Sequence, residues 1–493
     1  MFAWKRTAKP SFAVSAFVIT AALVSGGCAT NPATGKRQIS FVSQSKELDM
    51  GREADPAVIA EYGLYGDSTM QRYVDSIGQK LARASHLPDL AWHFRVLDSP
   101  VVNAFAIPGG YIYITRGILA YLNSEAQLAG VLGHEIAHVT ARHSAQQMTR
   151  SQIAGLGLLV GTLFVDAFRP YSGLAQQGLG ILFLKYSRDN ETQADELGVG
   201  YAAKAGYDPR EIPATYAMLK RVSERQGDRL PGFLSTHPDP GDREIRTSQL
   251  AQAALQREDR STVVGAPSYR KRIEGLVFGD DPRGGFFVGN RFYQPDLEIQ
   301  MIFPDGWKTS NQPSAVTASS EALGAAMELS LQFSKDSTAT PEGFVRSLLD
   351  EQKILDAAGR AESFRDYPAW IGSILVRTES GRQELIAGFV RYRPGQFLQV
   401  LGTTRSSSDR AAEQVRVAIR SIAALRDTTM LQVTSDRVRV VAAERSADFG
   451  SLVGGLGGQA LSLEDTAILN NQRVTASVSA GSPIKIVRKG RHP

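Results

Sequence analysis

Apolar residues recur at helical spacing through the first half of the chain. Ser45–Tyr62 and Thr69–Ala84 each place them three and four positions apart and predict two amphipathic helices. Ala91–Leu97 predicts a short strand. Ile107-Pro108-Gly109-Gly110 interrupts the pattern as a turn, and Tyr111-Ile112-Tyr113-Ile114-Thr115 resumes it with the alternation of a strand. Next, Leu128, Val131, Leu132 and Ile136 repeat at helical spacing with no proline or turn cluster, so 128–143 predicts one continuous helix. The apolar run Ile153–Phe168 and the glycine-rich Ser172–Gly180 follow. After about residue 262 the period changes. Leu297–Phe303, Met327–Phe333, Ala369–Thr378, Glu384–Tyr392 and Phe397–Thr403 alternate as strands. Phe344–Leu355, behind Thr340-Pro341 in start position, and Asp409–Leu425 predict helices. The expected fold class is a multidomain α+β chain: a mainly helical domain with a small sheet, an α+β domain, and a small C-terminal unit.

Length agrees, since 493 residues correspond to about three domains at ~150 residues each. The 43% hydrophobic content is ordinary for globular protein. Three of the net +5 charges, Lys5, Arg6 and Lys9, lie in residues 1–27, which hold no acid, so the remainder carries +2. No concentrated basic patch with interleaved aromatics is present, and no nucleic-acid partner is expected. Residues 1–27 read as a secretory leader: a basic start, an apolar run from Phe12 to Val24, then small residues. That run is shorter than the ~20 residues a bilayer span needs. Cys28, the sole cysteine, follows Ser25-Gly26-Gly27 directly, with the small residues of a bacterial lipoprotein cleavage site and Ser25 where leucine is usual. Acylation at Cys28 is expected, and Ala29 after it resembles lipoproteins sent to the outer membrane. A single cysteine excludes intramolecular disulfides.

The chemistry concentrates in Gly133-His134-Glu135-Ile136-Ala137-His138. On a helix His134 and His138 share one face, a turn apart. Two imidazoles so placed take two corners of a tetrahedral zinc site, and Glu135 serves as base for a metal-activated water. A third protein ligand is required. The pattern that puts a third histidine six residues on is excluded, because Ser144 stands there; His143 is one residue short and, on a continuing helix, points away. The alternative takes a glutamate from a later helix with an aspartate four residues on. Glu191 and Asp195 stand so, Glu191 as third ligand and Asp195 accepting the outer N–H of a zinc histidine. Taken alone, these two fit an ordinary charged helix face; the His-Glu-x-x-His motif changes their meaning.

With these segments the chain resembles the BepA/LoiP/HtpX family of zinc metallopeptidases, which also holds the CAAX prenyl proteases. The resemblance extends to Asn31-Pro-Ala-Thr-Gly-Lys-Arg-Gln38, 103–117 and Ser235-Thr-His-Pro-Asp-Pro-Gly-Asp-Arg243, in order within 31–250. It implies one zinc ion per chain and a substrate-binding edge strand at Pro108, Gly109, Gly110 and Tyr111, holding peptide by main-chain hydrogen bonds. It further implies that His237 faces the active site, as oxyanion stabiliser or as fourth zinc ligand in a latency switch, and that Arg243 pairs with a nearby carboxylate. HtpX-like relatives are integral membrane proteins; here 153–168 is short for a span and contains Asp166, and predicts a lid over the cleft or plain helix packing. BepA-like proteins carry helical repeats beyond the peptidase part, whereas no ~34-residue period is found here.

The domains expected are therefore a signal peptide (1–27), a zinc metallopeptidase domain (28–262), an α+β domain (263–427) faintly similar to PsbP/Mog1-like folds, and a degenerate LysM-like module (433–489). By resemblance the chain is a lipoprotein metalloendopeptidase of the Gram-negative periplasm, anchored to the outer membrane through Cys28. Its implied substrates are misfolded or misassembled envelope proteins. Peptidoglycan and the outer-membrane assembly machinery are further partners on this reading. The competing reading is an envelope chaperone or scaffold of the same fold that is mostly proteolytically latent.

Overall fold

A computed structural model describes residues 28–155, 186–226, 233, 237, 240–257, 262–378, 381–405 and 410–492. The leader 1–27, nearly all of the apolar run 153–168, and the glycine-rich 172–180 lie outside the described residues. Strands β1 (Cys28–Thr30) and β2 (Arg37–Ile39) pair as an antiparallel hairpin. Helices α1 (Gln44–Tyr62) and α2 (Ser68–Ala84) follow, their first turns capped by the Ser43 and Asp67 side chains. Between them and the metal motif lies a small sheet of β3 (His93–Leu97), β4 (Ala104–Ile107) and β5 (Tyr111–Thr115).

The order of that sheet is β3-β5-β4, with β5 parallel to β3 and antiparallel to β4. This corrects the expected edge strand. Tyr111 belongs to the central strand, both of whose sides are already paired, so it has no free edge to offer a peptide. Pro108, Gly109 and Gly110 form the turn between β4 and β5, and α1 lies against that turn. A Cβ on Gly51 would stand 2.1 Å from the Pro108 carbonyl oxygen, and one on Gly109 3.0 Å from that of Glu47. Among the described residues, the strand with one unpaired side on the β4 flank is Ala104–Ile107.

After α3 (Arg116–Tyr121) come α4 (Glu125–Thr140) and α5 (His143–Gly155), then α6 (Arg188–Lys204), α7 (Ile212–Gln226) and α8 (Pro240–Arg257). Ser124 caps α4, and a reciprocal Ser187/Asn190 box caps α6. Apolar residues of α4 (Val131, Leu132, Ile136), α6 (Ala194, Val199), α2 (Val74, Ile77, Leu81) and β5 (Ile112, Ile114) share one core. Two glycines let α4 and α6 cross closely. A Cβ on Gly133 would meet the Gly198 oxygen at 2.9 Å, and one on Gly198 would meet the His134 nitrogen at 2.8 Å.

Beyond α9 (Ala266–Ile273) the chain is mainly sheet. A seven-stranded sheet runs in the order 308–311, 315–320, 325–333, 396–403, 381–393, 367–378, 356–364. Helices Pro341–Asp350 and Arg410–Arg420 pack against it. The five expected strands fall on observed strands, and the two expected helices overlap observed ones that end earlier, at Asp350 and Arg420, with Ala423–Ala424 a strand inside the second expected range. The expectation missed Lys308–Asn311, Ala315–Ser320 and Asp356–Phe364 of the seven-stranded sheet, the last a largely exposed edge strand without apolar alternation, and Phe286–Val288 and Arg291–Gln294 beside Ile299–Ile302 in a second sheet.

The C-terminal unit orders strand Asp436–Ala442, helices Phe449–Gly454 and Leu463–Leu469, and strand Pro483–Arg488. It is not a free appendage. Its first strand pairs with both Pro483–Arg488 and Val277–Phe278, and Val438, Ile468, Leu469 and Val487 enter the same core as α4. Lys485, 1% exposed, donates from Nζ to the Ala120 and Leu122 carbonyls at 2.7 Å each, taking up oxygens at the end of α3.

Burial pushes the Lys485 ammonium well below its usual 10.5, with Arg270 adding repulsion. A lysine depressed by folding supports the fold fully above its unfolded value and loses that support as pH falls through the folded value. The thermal midpoint of the wild type should therefore rise relative to Lys485→Met between about pH 7 and about pH 10. Superimposable pH profiles for the two proteins would remove this account of Lys485.

Candidate active site

Helix α4 holds His134 and His138 one turn apart, fully buried, with their Nε2 atoms 2.9 Å from each other. Across the glycine crossing, the first turn of α6 delivers Glu191. Its Oε2 lies 3.5 Å from His134 Nε2 and its Oε1 3.6 Å from His138 Nε2. His237 enters just ahead of α8. Its Nδ1 stands 3.0 Å from Glu191 Oε1 and 3.3 Å from His134 Nε2, and its ring stacks on Phe233 at 4.4 Å between centroids. The Phe233 amide donates to the Val102 carbonyl, tying this stretch to the entrance of β4.

The potential ligand atoms of His134, His138, Glu191 and His237 all lie within 4.8 Å of one another, and all four residues are buried. Three imidazoles and a carboxylate thus crowd onto one point, in a place where burial of uncompensated polar groups is costly. That donor set, nitrogen and oxygen in four directions, fits a zinc ion. Glu135 sits beside the group without joining it. Neither of its oxygens has a hydrogen-bond partner among the described residues, and the nearer one is 3.6 Å from His237 Nε2. Burial pushes the Glu135 carboxyl above its ordinary 4.5, against the pull of His237 and His134.

Asp195, one turn beyond Glu191, faces the outer side of His134, with Oδ1 3.1 Å from Nδ1. It also accepts from Arg243 Nε (3.0 Å) and Nη2 (2.7 Å), Tyr216 Oη (2.8 Å) and Arg246 Nη2 (3.0 Å). Arg243, 1% exposed, reaches Glu191 as well, its Nη1 2.7 Å from Oε2 as an ion pair without hydrogen-bond alignment. Burial pushes the Asp195 carboxyl up, but the Arg243 charge and the bond to His134 outweigh it and hold it well below 3.8. Burial and Arg243 press the His134 imidazole down, while Asp195 and Glu191 prevail and hold it up at about 9. Burial, then repulsion from His134, takes His138 well below 6.5.

Sequence reasoning misplaced His143. The helix does not continue through it: Arg142 takes a left-handed φ of 57° and α5 starts afresh at His143. His143 therefore turns back onto the site, with Nδ1 2.9 Å from His138 Nδ1 and Nε2 2.9 Å from Gln193 Oε1. The break is held from far away in sequence. Glu47 and the Val42 carbonyl take the Arg142 guanidinium, and Asn31 and Gln146 both donate to the Ala141 carbonyl. Also missed were Tyr216 and Tyr186, the latter stacked on His138 at 3.9 Å between centroids. Arg246, one turn after Arg243, was open to the same helical-face argument that paired Glu191 with Asp195.

Residues 68–249 match the model for peptidase family M48. The mitochondrial metalloendopeptidase OMA1 of Schizosaccharomyces pombe is 30% identical over 46% of this chain and 68% of its own length. The chain belongs to peptidase family M48. This M48 chain is also 33% identical to the mitochondrial metalloendopeptidase OMA1 of Arabidopsis thaliana, over 47% of each. With the beta-barrel assembly-enhancing protease of Escherichia coli it shares 28% identity over 46% of its own length and 49% of the relative's. It thus spans about half the length of these two relatives. M48 peptidases are zinc-dependent, and among the described residues His134, His138, Glu191 and His237 form a group arranged for the ion. Among solved structures, the solution structure of cyanobacterial PsbP (CyanoP) from Synechocystis matches 28% of this M48 chain and 94% of its own, at 12% identity and a TM-score of 0.22.

Proposed function

We propose that this chain is a zinc-dependent metalloendopeptidase whose ligands are His134, His138 and Glu191, with Glu135 as general base. The observation that carries the reading is a buried Glu135 carboxylate, without a hydrogen-bond partner among the described residues, beside four convergent ligand groups. When bound, zinc supplies the charge that acidifies a water and polarises the scissile carbonyl. Glu135, its proton affinity raised by burial, takes the proton of the attacking water and returns it to the leaving amine. Asp195 orients His134, and Arg243 neutralises the two carboxylates behind the site. The flank of β4 that is unpaired among the described residues is the side on which an extended peptide would add as a further strand. Zinc per chain and casein cleavage, abolished by a chelator and restored by zinc, test the reading. A folded wild type that binds no zinc would sink it.

His237 fills the remaining direction about the ligand group, its Nδ1 turned inward. On this reading it closes the site at rest. His237→Ala should increase casein cleavage while weakening zinc binding, as loss of a fourth ligand would. Cleavage reduced in proportion to zinc occupancy would instead make it an obligatory ligand.

No helix among the described residues is long and apolar enough to cross a membrane. Anchoring through acylated Cys28 at the periplasmic face of the outer membrane, with misfolded or misassembled envelope proteins as substrates, is the setting proposed. The relative named for enhancing beta-barrel assembly supports it. The strand–helix–helix–strand unit after residue 433 is proposed as the LysM-like module, and retention on isolated sacculi tests its affinity for glycan.

A further inference from the structure

We infer that His143 and Gln193 form a positioning relay that fixes the tautomer of His138, leaving its Nε2 lone pair free for the metal; the inference rests on the zinc-site reading above. The argument is a count of donors and acceptors along one line. Gln193 Oε1 carries no hydrogen, so across 2.9 Å it accepts from His143 Nε2–H. His143 is buried, and its two ring nitrogens face the His138 imidazole and the Gln193 amide, neither of which is a carboxylate that would compensate a charged ring. A neutral imidazole protonated at Nε2 has its lone pair at Nδ1. That lone pair faces His138 Nδ1 at 2.9 Å, and two ring nitrogens so close need one hydrogen between them. The hydrogen belongs to His138 Nδ1. His138 Nε2, turned toward His134 and Glu191, is then the unprotonated atom.

The two ligand histidines are therefore oriented by different devices. His134 has a carboxylate behind it, Asp195, with Oδ1 3.1 Å from its Nδ1. His138 has a neutral imidazole backed by a neutral amide, which sets direction without adding charge. Gln193 stands between Glu191 and Asp195 in sequence, so one helix, α6, supplies a ligand and both outer anchors. The other half of the relay depends on the break at Arg142, since only a restarted helix brings His143 back to His138. The β1–β2 turn secures that break through Asn31, whose amide caps the Ala141 carbonyl at 3.0 Å. The conformation at Cys28–Gln38 and the geometry of a zinc ligand are thus mechanically joined.

Substitutions at Gln193, which is only partly buried, test the relay by acceptor character. Zinc dissociation constants of the full chain would be measured by chelator competition at mildly alkaline pH for wild type, Gln193→Glu, Gln193→Met and Gln193→Lys. Glutamate keeps the acceptor and should bind zinc close to wild type. Methionine, of similar size but unable to accept strongly, should bind more weakly. Lysine, a donor only, would turn His143 round and place the proton on His138 Nε2, so it should lose the most. The loss expected for Lys, and for His143→Ala, is about 10- to 100-fold in affinity. Unchanged circular dichroism in the metal-free proteins separates this from unfolding. A wild type that binds no zinc overturns the metal-site reading itself. Tight zinc binding by wild type with equal losses for Glu and Lys, or with none for any variant, overturns the relay alone.

Discussion

Glutamine in place of Glu135 is expected to lower peptide cleavage by about 10²- to 10⁴-fold, the range for loss of a positioned general base, while zinc stays bound. The two halves of this expectation have separate causes. Glu135 is not one of the four residues whose ligand atoms converge, so its amide isostere leaves the donor set intact. An amide cannot take a proton from water. The fold should tolerate the change. Burial already disfavours the Glu135 carboxylate, and neither of its oxygens has a partner to lose among the described residues. Removing a desolvated charge of this kind holds the thermal midpoint or raises it. The measurement is kcat/KM on casein or a fluorogenic peptide, with zinc per chain and thermal midpoint on the same preparation. Loss of zinc together with activity would assign Glu135 to the ligand set. Cleavage within about tenfold of wild type would remove it as the base.

What was legible in the sequence was whatever one helical period encodes. His134 with His138, and Glu191 with Asp195, are pairs at one-turn spacing, and each needs only its own helix to be read. Their meeting needs α4 and α6 to cross within backbone distance. Gly133 and Gly198 permit it, yet a helical glycine carries no sign of which helix it will touch. The continuous helix through His143 was a reasonable reading, because nothing between Ala137 and His143 is glycine or proline. A left-handed arginine ended it, held by Glu47, and by Asn31 through the neighbouring carbonyl, about a hundred residues away in sequence. The substrate strand failed for a similar reason. The turn at Pro108–Gly110 was visible, but the parallel pairing of Tyr111–Thr115 with His93–Leu97, which closes its second side, is non-local. The same holds for Lys485, whose burial depends on carbonyls more than 360 positions earlier.

Replacing Arg243 with methionine should cost the site about 3–5 kcal/mol, the range for removing one partner from a buried ion pair. Its guanidinium is the nearest cation to both Glu191 and Asp195, at 2.7 Å from each. Asp195 keeps Arg246, which is partly exposed, and the buried Tyr216 hydroxyl and His134 ring, but no buried guanidinium. The pH dependence gives the sign independently. In the wild type the Asp195 carboxyl is held well below 3.8, so the stability it brings is present above that value and is lost only as pH falls through the lower folded one. Without Arg243, burial, the largest opposing influence, should lift that carboxyl, and the acid-side loss should begin at higher pH. The chain has several cores, so the relevant unfolding transition is the one that shifts on adding zinc. Urea titrations of that transition, across mildly acidic to neutral pH, give both quantities. Arg243→Lys should recover part of the stability, because its ammonium restores the charge but not the fork that spans two carboxylates. A methionine variant that unfolds with the wild type at every pH would mean that the two carboxylates are compensated without Arg243. The charge balance drawn around His134 and Glu191 would then be wrong at its centre.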